Sequence, residues 1–376
     1  MFFKREEEPY FTDEDLEYLG RIAKFLPKET MKTIEEARLA QHVSFQEAKI
    51  PMTLMGTKII PQLISEVEAV STFVNDCNKN IKKQIQNILF QRFAEQAHEN
   101  IPDLIAPHIE GYDDVKGALA LQLFAKDPVH ILLLGDQKEF TRSAAELAPH
   151  SKIGLDIENN QPGLIGSYHH AQFQPGTLVQ AHNGLCVLES LENIQDDCKP
   201  LLCHAMDHGF VTPVIEGNSY RYDSVISVAA TAQLKEQTDS RRMWDFKKVL
   251  PFESSLISRF HIIFLLNKPI KLHFENTLKE NVLTPADKQF LEQYINLARK
   301  GKVRFPKEHE QDVIEYVRGL KKEERRLIAE VSPRTVVGIM NLAKASARMN
   351  LRNRVEKNDI ERVKLIFNRA IDTGLV

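Results

Sequence analysis

Between residues 129 and 266 the chain returns repeatedly to a short apolar run: "VHILLLG", "KIGLDI", "GLCVLE", "SVISVAAT" and "HIIFLL". Most of these runs are continuous rather than alternating, and that property restricts the fold more than any other. A strand with one face in water alternates apolar and polar residues, whereas a strand that is apolar on both faces must be covered on both. The segments between the runs supply the cover, with helical patterns around 113–125, 141–148 and 195–208. Strand and helix in alternation make a parallel sheet between helical layers, with any ligand at the carboxyl ends of the strands. The fold class expected for residues 101–268 is therefore α/β.

The flanks have a different texture. Thr12 with Asp15 is a capping-box-like helix start, and Leu16, Leu19, Ile22 and Phe25 follow at helical spacing. Leu63, Val67, Val70, Val74, Cys77, Ile81, Ile85 and Ile88 then form one narrow stripe, the seam of a long helix. That seam is read as packed on its own domain, with self-association as the alternative. Beyond residue 284 the pattern is all helix. Thr284-Pro285 and Ser332-Pro333 are start signals, Pro at the first helical position following a hydroxyl cap. Val336, Met340, Ala343 and Ala347 share one face, and Ile360, Val363, Phe367 and Ala370 line a last helix. The expected domains are a helical region over 1–100, the α/β core over 101–268 and a helical lid over 269–376.

Charge excludes one broad class. The chain has 49 basic and 52 acidic side chains, a net charge of −3. A dedicated nucleic-acid binder draws its affinity from counterion release and shows a basic excess, so any such contact here must come from a local patch. The cluster Lys321, Lys322, Arg325 and Arg326 is the candidate, or else a solvated helix face. Cys77, Cys186, Cys198 and Cys203 form no C-x₂-C pair, so buried thiols are expected and no metal site. The start, "MFFKREEEPYF", is too acidic for a signal peptide, and no apolar stretch reaches the roughly 18 residues of a membrane span. The expectation is a soluble intracellular protein, cytoplasmic or nuclear.

Residues 130–150, "HILLLGDQKEFTRSAAELAPH", raise the question of chemistry. A buried-looking strand runs into Gly135-Asp136, where a phosphate loop would continue with a second glycine, a lysine and a hydroxyl. Gln137, Lys138, Glu139, Phe140 and Thr141 follow instead. Around this stretch the order of segments resembles the AAA+ plan of the minichromosome maintenance (MCM) helicases. "LIAPHIEGYDDVKGALALQLF" (104–124) is similar to that family's lead-in segment, and "LLLGD" with "ELAPH" to the two ends of its Walker A strand–loop–helix. "FQPGTLVQAHNGLCVLESLENI" (173–194) resembles the approach to Walker B, and "SSLISRFHIIFLL" (254–266) the arginine-finger segment. "SPRTVVGIMNLAKASARMNLRNRVEKNDIERV" (332–363) resembles the lid helices with their sensor-2 arginine. The resemblance implies a P-loop-type α/β/α core followed by a helical lid.

Matched residue by residue, the catalytic positions depart from the family. The interval from Gly135-Asp136 to "LAP" is shorter by about four residues, so a full phosphate nest cannot form. Lys138 and the pair Arg142-Ser143 are the stand-ins for the phosphate lysine and the Lys-Ser of the loop, with solvated loop residues as the favoured alternative. Walker B reads Glu189-Ser190, and a serine hydroxyl is not a general base near neutral pH. Sensor 1 falls on Thr231. The hairpin segment "HAMDHGFVTPVIEGNSY" (204–220) has no Lys or Arg. Arg259 matches the arginine finger, or else makes a salt bridge at a helix end, and Arg334 matches sensor 2. The family's N-terminal oligonucleotide-binding and zinc-bearing region and its C-terminal winged helix find no match. The expected protein is a catalytically inactive MCM-like interaction or regulatory module, with no bound cofactor; ATP and Mg²⁺ are not expected. Its expected partner is an MCM-type subunit or another replication protein, its DNA binding weak or absent, and its state alone a monomer or small oligomer. An ATP-dependent helicase subunit that supplies Arg259 in trans is the alternative, and a remnant without selected activity the third.

Overall fold

The structure, a computed structural model, describes residues 87, 89–135, 137–154, 160–169, 172–215, 218–234, 253–266, 271–272, 285–324 and 330–372. Residues 93–376 make one unit and residues 1–92 another, of which only a few helical residues at its end are described. The capping box at Thr12 and the stripe from Leu63 to Ile88 thus lie outside the described residues.

Helix α1 (Ala97–Asp103) leads to α2 (Asp113–Phe124), and the sheet follows. Its strands are β1 (Ile131–Leu134), β2 (Ser151–Gly154), β3 (Leu185–Leu188), β4 (Ser227–Ala232) and β5 (Ile262–Leu265). They lie in the order β5-β1-β4-β3-β2, every neighbouring pair parallel. Ile131 is in register with Ala229 on one side and Ile262 on the other. All residues of β1, β3 and β5 are buried, which is why those runs are continuous. Burying each leucine of β1 contributes roughly 1.5–3 kcal/mol. From β1 the chain crosses to β2 at the far edge and works back to β4, then passes over β1 to β5. The strand order reverses beside β1 and β4, and their carboxyl ends define the crevice.

Helix α2 is buried nearly all round, from Val115 to Phe124 with Gly117 only half-buried, as a helix without a polar face must be. Its Gln122 amide donates to Val129 O at 2.8 Å and Val228 O at 2.9 Å, pinning the helix to two segments of the sheet. Helix α3 (Lys138–Leu147) begins three residues earlier than its apolar pattern indicates, because Phe140 is fully buried against Tyr112. Lys138 is thus in a first helical turn rather than a solvated loop. Helix α4 (Cys198–His208) lies between β3 and β4 and ends at Gly209, φ +71°, a left-handed cap that glycine adopts without strain. Two antiparallel hairpins project from the core. One pairs 166–169 with 172–175; the other pairs 210–211 with 222–223, and Phe173 stacks on Tyr222 at 4.1 Å between them.

The helical part comprises α5 (Pro285–Lys300), α6 (Glu310–Lys322), α7 (Pro333–Met349) and α8 (Lys357–Asp372). The Ser332 hydroxyl accepts from Arg334 N, and Thr335 closes the capping box. Ile360, Val363, Phe367 and Ala370 are buried as expected, while the buried face of α7 centres on Ile339, Leu342 and Ala343 rather than Val336 and Met340. Asp359 is fully buried and satisfied, taking Arg352 in two bonds of 2.7 and 2.9 Å, the Ser346 hydroxyl at 2.7 Å and Glu356 N at 2.8 Å. Gly338 of α7 lies against His261 of the core; a Cβ there would come within 2.9 Å of the ring. Helix α7 therefore sits directly on the core. Burial pushes the Cys186 and Cys198 thiols up to about 12, while Cys203 is half-buried; Cys77 lies outside the described residues. Among the described residues no helix is long and apolar enough to cross a membrane, and no group of His, Cys, Asp and Glu is placed to hold a metal.

Candidate functional site

The crevice at the ends of β1, β3 and β4 is built from very short connections. Gly135 follows β1 with φ +137°, and a Cβ there would stand 2.8 Å from Leu266 O, so only glycine fits. Its N–H donates to Ala232 O at 2.8 Å, and Gln137 N–H donates to Gly135 O at 3.0 Å. Helix α3 then starts at once with Lys138. The Gly135 and Gln137 N–H groups are thus bonded within the chain; Asp136 lies outside the described residues.

Glu189 sits just beyond β3 and is 2% exposed. Arg142, one turn into α3, meets it as a fork: Nη2 donates to Oε2 at 2.7 Å and Nε donates to Oε1. Hydrogen bonding to Glu189 raises the Arg142 pKa further above its ordinary value. Lys138 Nζ approaches the same carboxylate at 3.9 Å. A buried carboxylate needs such company, because losing water without a counter-charge costs several kcal/mol. Ser190 is buried with φ +50°, an unusual conformation for a serine, and its N–H donates to the Thr231 hydroxyl at 3.4 Å. Ser143 turns away from the crevice: its hydroxyl accepts from Ala106 N at 2.9 Å and donates to Leu104 O at 3.3 Å, holding the lead-in segment. Gly135, Lys138, Arg142, Glu189, Ser190 and Thr231 are therefore brought together and Ser143 is not. Arg142 is not a solvated loop residue but the main partner of Glu189.

This geometry makes a quantitative expectation. Arg142→Ala removes the fork that faces the buried Glu189, and half of the Arg142 side chain is exposed to water. The cost should be about 2 kcal/mol, below that of a fully buried pair. In urea denaturation, Arg142→Ala combined with Glu189→Leu should recover most of that loss. Equal destabilisation by the single and double variants would mean that the fork is not what stabilises this corner.

Arg259 and Arg334 meet elsewhere, on Asp207 in the last turn of α4. Arg259 Nη2 lies 2.8 Å and Nε 3.0 Å from Asp207 Oδ2, and Arg334 Nη2 lies 2.6 Å from Oδ1. Arg259 Nη1 also donates to Ser255 O. One arginine follows a short core helix (Ser254–Ile257) and the other opens α7, so a single carboxylate ties core to lid. Asp207 was not singled out from the sequence, although it carries a signal: an acid in the last turn of a helix opposes the macrodipole and calls for a cation. In the lid cluster, Lys321 is taken by Glu324 at 2.6 Å, and Arg325 and Arg326 lie outside the described residues.

Residues 82–285 match the family model described as MCM P-loop domain, and residues 289–371 match MCM AAA-lid domain. Among curated proteins the chain is 24% identical over 310 residues to DNA replication licensing factor mcm7 of Schizosaccharomyces pombe, covering 70% of this chain and 40% of that protein. It is 23% identical over 388 residues to DNA replication licensing factor mcm7 of Xenopus tropicalis, covering 91% and 54%. It is 25% identical over 313 residues to DNA replication licensing factor MCM4 of Drosophila melanogaster, covering 73% and 36%. The crystal structure of a full-length MCM homolog from Methanopyrus kandleri superposes with a TM-score of 0.63 at 20% identity, covering 78% of this chain and 62% of that one. The chain thus spans about half the length, or less, of the curated relatives it matches.

Proposed function

The chain belongs to the MCM family, and we propose that within it this protein is an interaction or regulatory module linked to DNA replication whose own nucleotide site does not turn over ATP. The observation that carries this reading is Arg142 seated on Glu189. In the family that this sequence resembles, the Walker B acid faces a metal ion and the next residue, a glutamate, orients water. Here the acid faces a guanidinium from α3 and the next residue is Ser190. Phosphoryl transfer relies on positioning and electrostatics, so the loss of the loop, the metal-facing carboxylate and the base leaves no substitute mechanism. The residues present do not fit Mg²⁺-triphosphate as arranged, because Arg142 occupies the carboxylate of Glu189. The link to replication is supported by the printed names of the relatives.

The match of Arg259 to the family's arginine finger supports a second reading: a subunit that supplies an arginine to the nucleotide of an adjoining MCM-type chain, for which Asp207, now holding Arg259 in the alternative salt bridge at a helix end, has to release it. Two guanidinium groups against one carboxylate leave a net positive charge, as a phosphate-directed surface requires. Both readings make an MCM-type subunit the partner, and in both DNA binding by this chain alone is weak. Titration calorimetry with ATP and Mg²⁺ separates them from an active enzyme. No saturable heat is expected; a one-to-one isotherm would overturn the claim that Arg142 fills the site.

A further inference from the structure

A cleft of about 360 Å³ opens where α1, the first turns of α2, the last residue of α7 and the middle of α8 meet. Its floor is apolar, made of Leu121, Met349 and Ile366, all nearly fully buried. At its mouth Leu365 is 54% exposed, more than any other large hydrophobic residue among those described. The walls are acidic. Glu99 and Asp103 stand four residues apart on α1, hence on one face, and Asp113 and Asp114 open α2. Among the described residues Glu99, Asp103 and Asp113 have no ion-pair partner; Asp114 has Arg369 at 3.9 Å.

The cations that share the cleft, Lys116 acting on Asp113 and Asp103 and Arg362 acting on Glu99, are fewer than its four carboxylates. Lys116 is buried and turns inward, donating to Ile109 O at 2.7 Å. Arg362 is directed to the Ser346–Asp359 cluster, where its Nη1 donates to the Ser346 hydroxyl at 3.4 Å. The acids of α2 serve its N-terminus, where the macrodipole favours them. That explanation does not extend to Asp103 at the end of α1, where the dipole opposes a negative charge.

We propose that this cleft is a docking site for a basic amphipathic helix of a partner protein, with an apolar side chain set against Leu365 and Ile366 and arginine or lysine on the Glu99, Asp103 and Asp113 rim. Charge complementarity selects this occupant over an acidic or purely apolar one. The volume accommodates an anchoring side chain, and such anchors flanked by charges are how helices are held in grooves. The site shares no residue with the Glu189 crevice or with the Asp207 cluster.

The test uses the full chain and a fluorescein-labelled helical peptide with leucines on one face and arginines beside them. Controls are the same composition scrambled and the peptide with glutamate in place of arginine. Anisotropy should show saturable binding of the first peptide alone, weakening with salt. Leu365→Asp and Asp103→Lys should each reduce the affinity about tenfold or more, while Arg259→Ala should leave it unchanged. Equal binding of the scrambled peptide, or indifference to Leu365→Asp, would overturn the proposal. Self-association abolished by Leu365→Asp would overturn it too, by making a second copy the occupant. So would strong hydrogen-exchange protection of 97–103 and 362–366 without peptide in a chain that binds none, because the cleft would then be filled by the chain itself.

Discussion

Acidification from pH 6.5 towards 4 is expected to remove several kcal/mol of folding stability through three buried histidines. His98 and His261 are each held down at about 4, in both cases first by burial and then by a neighbouring arginine, Arg362 for His98 and Arg334 for His261. His130 is fully buried and also lowered, by burial and by His261, whose ring centroid is 5.2 Å away. The rings are held neutral in useful bonds: His261 Nδ1 accepts from His130 N at 2.9 Å, and His130 Nδ1 accepts from Val228 N at 3.2 Å. In the unfolded chain these groups protonate near 6.5; in the folded chain His98 and His261 protonate only near 4, and His130 well below its ordinary value. The unfolded state therefore binds more protons throughout that window. The stability contributed by neutral rings is complete above 6.5 and is lost as pH falls towards 4. A shift of this size corresponds to about 3 kcal/mol for each of His98 and His261 as an upper figure. Urea midpoints measured between pH 7.5 and 4.5 should fall steeply, and His261→Gln should flatten the slope. A profile level down to pH 4.5 would show that the rings protonate freely in the fold, contrary to their burial.

The other large effect belongs to the arginine pair. On the reading that this chain completes a neighbour's site, mixing it with an MCM-type subunit that has an intact P-loop and a mutated finger should restore ATP hydrolysis. A finger contributes about 10³–10⁵ in rate, so even partial recovery would be measurable. Arg259→Ala should abolish the recovery. Asp207→Ala should preserve or increase it, because the carboxylate competes with phosphate for both arginines. Recovery that survives Arg259→Ala, or no recovery in a mixture that sediments as a complex, removes the finger role and leaves the chain as an interaction module.

What the sequence made legible follows the range of each interaction. Apolar runs are a local property, and all five became strands of one parallel sheet; Ser332 capped its helix as the Pro333 that follows it indicates. The start of α3 was less legible, because Phe140 is drawn into the helix by Tyr112, a contact across 28 positions of chain that no local pattern encodes. The candidate site divides in the same way. Motif order located Gly135, Glu189, Ser190 and Thr231, since each sits at the end of a recognisable strand. The pairing of Arg142 with Glu189 depends on which face of α3 lies over β3, and the role of Asp207 on the docking of α7 against the core. Both are tertiary facts. A charged residue at the wrong end of a helix was the one trace that Asp207 left in the sequence.

The central claim is that Arg142 has taken the place at Glu189 that a metal ion would hold in an active relative. Its most direct test is ATP hydrolysis by the purified chain at high enzyme concentration, with and without single-stranded DNA, alongside Glu189→Ala. No phosphate release above buffer is expected from either protein. Turnover by the unaltered chain that disappears in Glu189→Ala would contradict it, because Glu189 would then be acting in the chemistry rather than bonded to Arg142.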